Sequence, residues 1–147
     1  MKAAVSPTDT GAAGFSPGDV VQYTLNIQVS DYFALGGNPA GTDLVVSDTL
    51  TDGLQILDAT TTPLAVNPSL VVVRAGGAPE TYALVPGVNY TVTVDPNGSQ
   101  VIAFNLRSAL PAPGGGQLLV GDLFADGTQS GATTAQVVFN AQVLDTY

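Results

Sequence analysis

Cysteine, histidine and tryptophan are absent from this 147-residue chain, and Lys2 is its single lysine, so few side chains remain that could do chemistry. Thiol and imidazole catalysis, zinc-finger ligation, disulfides and c-type haem attachment are excluded with the missing residue types. What is left is one amine, a set of carboxyls, carboxamides and hydroxyls. Among the carboxyls, Asp48 in "VVSDTL" alternates in phase with Leu44, Val46 and Leu50, so it points where those apolar side chains point. A carboxyl facing a core needs a partner or a proton. Towards the other end, Asn140 is the only asparagine of "TAQVVFNAQV". It falls in step with Gln136, Val138, Gln142 and Leu144, whereas Val137, Phe139, Ala141 and Val143 make the cleaner apolar face, with which Asp145 is in phase. The loop "DYFALGGNPAGTD" offers Asp31 and Asp43, together with amide and carbonyl oxygens, as candidate calcium ligands without EF-hand spacing. The other acids, the single Glu80 among them, are scattered over turns and form no pair of the glycosidase kind.

The elements that must position these residues are strands. Pro and Gly recur throughout, and β-branched residues dominate the apolar segments, which disfavours helix and favours sheet. The clearest strand is "VQYTLNIQV", residues 21–29, where Val21, Tyr23, Leu25, Ile27 and Val29 alternate with polar residues; one face is buried and the other wet. "SPGD" before it is turn chemistry. Further strands are expected at 43–50, 54–57, 70–74, 90–94, 101–106, 117–120 and 134–143. "DPNGS" at 95–99 reads as a hairpin connection in which Asn97-Gly98 suits a primed turn. The segments 30–42 and 111–116 read as long Gly/Pro-rich loops. Many short strands with this punctuation imply an all-β, immunoglobulin-like β-sandwich. No internal repeat or interdomain linker is visible, so residues 1–147 read as one domain.

Acidic residues outnumber basic ones 12 to 3, giving a formal charge of −9, which repels nucleic acid and anionic membranes. Charged residues are only 10% of the chain, so neutral polar groups must wet the surface, as in many extracellular β-proteins. No 18-residue apolar run and no secretory leader pattern occurs. No cofactor is implied.

Four segments in order, "FSPGDVVQYTLNI", "LVVSDTLTDGLQIL", "LVPGVNYTVTVDPNGSQVIAFNL" and "AQVVFNAQV", resemble the bacterial surface-repeat and pilin-backbone domains of the intramolecular isopeptide-forming type, related to the collagen-adhesin A-type fold. The resemblance covers most of the chain, and "GDxVxYTLxI" and "VxDTLxxGL" are its most specific parts. It implies a structural stalk domain, extracellular and at the cell surface, excised from a longer multidomain adhesin or fimbria. Such a domain is monomeric in isolation, with the neighbouring domains of its own chain, and host or surface ligands, as partners. An adhesive module that binds a ligand or calcium without a crosslink is the alternative. By position, the resemblance makes Lys2 the first-strand nucleophile, Asp48 the assisting acid and Asn140 the last-strand acceptor, with Asp145 as the other acceptor.

The chemistry so implied has definite requirements. An ammonium has no lone pair, so Lys2 would have to be neutralised by burial, and the same desolvation would keep Asp48 protonated to polarise the acceptor and pass a proton to the leaving ammonia. Folding would supply an effective molarity of roughly 10⁵ M or more. A Lys2–Asn140 bond would close nearly the whole chain, worth about 4 to 5 kcal/mol on a loop-entropy estimate. It would be a single-turnover event, with no enzyme activity beyond it.

Overall fold

A computed structural model describes residues 1–8, 14–28, 34–35, 45–62, 65–73, 77–110, 119–120 and 134–145. Its elements are β1 (Lys2–Thr8), β2 (Val20–Gln28), β3 (Ala34–Leu35), β4 (Val45–Leu50), β5 (Leu54–Leu57), β6 (Ser69–Val73), β7 (Glu80–Ala83), β8 (Tyr90–Val94), β9 (Gln100–Asn105), the four-residue helix α1 (Leu106–Ala109), β10 (Leu119–Val120) and β11 (Thr134–Val143). One sheet has the order β1-β2-β11-β6-β7, with β5 pairing the last part of β11; the other is β4-β9-β8, and β3 pairs β10 separately. All of these pairings are antiparallel.

Burial follows the period of two that the sequence carries. In β11 the residues Ala135, Val137, Phe139 and Ala141 are buried while their neighbours are half-buried or exposed. Facing them from the other sheet are Leu50, Tyr90, Ile102 and Phe104. The two sheets thus pack face to face as the β-sandwich expected from the strand pattern. Aromatic rings join the layers: Tyr23 stacks on Phe139 at 5.3 Å, Phe139 meets Phe104 at 5.5 Å, and Phe104 meets Tyr90 at 5.7 Å.

Four details differ from the sequence reading. Ala34–Leu35, within the segment 30–42 expected as a loop, form the short strand β3 against β10. The strand Glu80–Ala83 was not expected, because four residues beginning "ETYA" carry almost no alternation; pairing with β6 makes it a strand. Leu106 opens the helix α1 instead of ending the strand before it. The 95–99 connection is not a two-residue primed turn. Gly98 N donates to Asp95 O at 3.1 Å, which centres the turn on Pro96-Asn97, and Gly98 follows with φ +86°. Pro96 fixes φ near −65°, which a primed turn forbids at that position. Asp95 Oδ1 then accepts from the amides of Asn97 and Ser99.

Candidate functional site

The site is built at the edge of the sandwich. Lys2 stands opposite Leu25 across the β1–β2 ladder, and Leu25 stands opposite Val137 across the β2–β11 ladder. Directly opposed residues share a sheet face, and Leu25 and Val137 are buried, so Lys2 is directed to the core side. From the other sheet comes Asp48, opposite the fully buried Ile102. The ammonium of Lys2 lies 2.7 Å from Asp48 Oδ2 and over the Tyr23 ring, with Nζ 4.2 Å from the centroid. The bridge joins the edge strand of each sheet, β1 to β4.

The pair is unequal in exposure. Lys2 keeps 36% of its side chain exposed and Asp48 only 13%. Asp48 Oδ2 is buried and makes no well-aimed hydrogen bond among the described residues, so the ammonium is its counter-charge. Burial raises the Tyr23 hydroxyl above the usual tyrosine range, and the negative charge of Asp48 adds to the effect. This arrangement fits an amine that snorkels from the core to water, rather than one fully withdrawn from solvent.

Asn140 is not brought to this pair. It stands opposite Gln22 on β2 and Leu57 on β5, one step out of phase with Phe139 and Ala141, and therefore on the outer face of the sheet whose inner face carries Lys2. Its Oδ1 accepts from Gln22 Nε2 at 3.4 Å. Asp145 lies beyond the end of β11 and is exposed. It is eight residues along from Val137, the position level with Lys2, which at strand rise is roughly 26 Å. The calcium candidates Asp31 and Asp43 lie outside the described residues, and among the described residues no group of three acids is placed to hold a metal.

A second polar cluster was not foreseen from the sequence. Asp58, 1% exposed, follows β5 and accepts from Thr60 N at 2.8 Å, from Thr60 Oγ1 and from Thr61 N at 3.2 Å. Its other oxygen takes a short hydrogen bond from the buried Tyr90 hydroxyl, at the start of β8 in the opposite sheet. Burial alone would raise the Asp58 carboxyl; the bonds from Thr60, Tyr90 and the two amides outweigh it and hold the group below the usual range. Tyr90 is pushed well above the ordinary tyrosine value by burial, then by its bond to Asp58 and that charge. The signal available in the sequence was "DATTT", an Asp with hydroxyl residues two and three positions on, which reads as an Asx turn. Nothing there names Tyr90 as the partner.

No family model matches the sequence, and no curated protein matches it. Among solved structures, the chain is similar to the crystal structure of a group B streptococcus pilus 2b backbone protein, with a TM-score of 0.46 and 13% identity. The match covers 95% of this chain and 43% of that one, so the chain spans less than half the length of that protein.

Proposed function

We propose that this chain is a structural stalk domain of a bacterial cell-surface adhesin or fimbria, carrying tension and catalysing no turnover, with neighbouring domains of its own chain as its partners. The observation that carries the reading is the direction of two strands. β1 and β11 both run antiparallel to β2 and so parallel to each other. The chain enters β1 level with Val137 and leaves β11 past Val143, at the opposite end of the sheet. Tension between these points pulls β1 and β11 along their lengths in opposite directions. The ladders on both sides of β2 are then loaded together in shear, instead of opening one bond at a time. Lys2 adds a tie from the loaded end of β1 to β4 of the other sheet.

A covalent tie between Lys2 and Asn140 would need both side chains on one face of the sheet, and Asp145 would have to reach back along β11. We therefore take the tie to be the Lys2–Asp48 ion pair. Intact mass under denaturing conditions checks this: the full calculated mass is expected. A deficit of one ammonia would reinstate Lys2–Asn140, and a deficit of one water would mean that a carboxyl had accepted the amine. Single-molecule pulling tests the stalk reading itself. Handles at residues 1 and 145 should give a markedly higher unfolding force than handles at residues 1 and 28, which peel β1 from β2. Equal forces would remove the mechanical reading.

A further inference from the structure

We propose that Lys2 has a second task, independent of tension: it keeps the free edge of β1 from pairing with β1 of a second copy. β1 is the outermost strand of its sheet among the described residues. Its residues Lys2, Ala3, Ala4 and Val5 are all exposed, with Val5 at 59%. Three short apolar side chains in a row, on an edge that no strand pairs among the described residues, invite another strand. Two copies of β1 laid antiparallel would make a self-complementary two-fold contact, the simplest symmetric dimer. The segment contains no acidic residue, so the overall negative charge of the chain is not concentrated where it would oppose that contact.

Lys2 opposes it by position. A strand added beyond β1 would lie about 4.8 Å away, along the outer edge of the strand that carries Lys2. The exposed third of the side chain would be covered, and the incoming β1 offers no carboxylate in return. Burying the ion without a new partner is unfavourable, and an inward-pointing charge on an edge strand is a recognised way to prevent sheet extension.

The test neutralises the pair without leaving a buried carboxylate alone: Lys2→Met, which keeps an unbranched apolar chain of similar length, combined with Asp48→Asn. Sedimentation velocity over a wide concentration range should show the parent chain at monomer mass throughout and the neutral variant approaching twice that mass. Adding Ala4→Lys to the neutral variant puts a charge back on the same face of the same edge, since Ala4 stands opposite Tyr23, and should return it to monomer. A neutral variant that is folded by circular dichroism yet stays monomeric overturns the proposal. So does association that Ala4→Lys leaves unchanged. If the neutral variant fails to fold, acetylation of the folded parent with an N-hydroxysuccinimide ester serves instead, since Lys2 and the Met1 amine are the amines it reaches, and chain acetylated at Met1 alone is the control. Chain acetylated at Lys2, as verified by peptide mapping, should double in mass, and a persistent monomer overturns the proposal equally.

Discussion

Lys2 and Asp48 meet because the register of β1 on β2 and the phase of Asp48 along β4 each direct a charged side chain inward at the rim of one sandwich, where water still reaches the amine. The energetic weight of the pair falls on Asp48, which is the more buried partner. Exposed ion pairs contribute about 0 to 1 kcal/mol, whereas a buried carboxylate stripped of its counter-charge costs more. Lys2→Ala should therefore destabilise by about 1 to 2 kcal/mol, Asp48→Asn by less, and the double variant by less than the sum. Urea denaturation of the four proteins measures this, and strictly additive losses would show that the contact contributes nothing. Asp48 was legible in the sequence, since its phase with Val46 and Leu50 already aims it inward. Asn140 was legible in the same way: its step with Gln136 and Gln142 assigns it to the polar face, and the ladders to β2 and β5 put it there. Its role as acceptor came from the family resemblance, which ranks positions along a strand and is silent on which face they occupy.

At the scale of elements, alternation identified the long strands and missed the short ones. β2 and β11 have nine and ten residues, enough for one face to separate clearly from the other. Glu80–Ala83 has four and is a strand only because β6 lies beside it. The β8–β9 hairpin was placed correctly and given the wrong turn, since the local preference of Asn-Gly yields to the fixed φ of Pro96 and to the Asp95 carboxylate that gathers two amides. Gly98 is thereby the residue that must be glycine. A Cβ there would sit 2.8 Å from Asp52 Oδ1 at φ +86°. Asp52 is exposed and can swing away, so the backbone term decides: Gly98→Ala should cost about 1 to 2 kcal/mol, read as a lowered melting temperature. An unchanged melting temperature would mean the turn relaxes freely.

Across the whole molecule, the run Tyr23–Phe139–Phe104–Tyr90 crosses the core with Lys2 and Asp48 at one end and Asp58 at the other. Asp58 and the two tyrosines of this run titrate against the fold at opposite limits of pH. Asp58 is depressed in the folded state, so its stabilisation is present above the ordinary aspartate range and is lost as pH falls below about 4. Tyr90 and Tyr23 are raised, so their stabilisation is present below about pH 10 and is lost as the unfolded chain ionises above it. Urea midpoints across pH should fall at both limits, and Tyr90→Phe should reduce the alkaline fall while leaving the part due to Tyr23. A Tyr90→Phe profile that parallels the parent would remove Tyr90 from the account. Residue types and a period of two were enough to fix the β class, the strand faces, the inward aim of Asp48 and the absence of thiol and imidazole chemistry. Only the tertiary structure decided which strands are neighbours. That choice set Lys2 against Asp48, left Asn140 on the far side of its sheet, and tied Asp58 to a tyrosine 32 residues away. Such pairings depend on which strands share a ladder and which sheets face each other, and local periodicity carries no information about either.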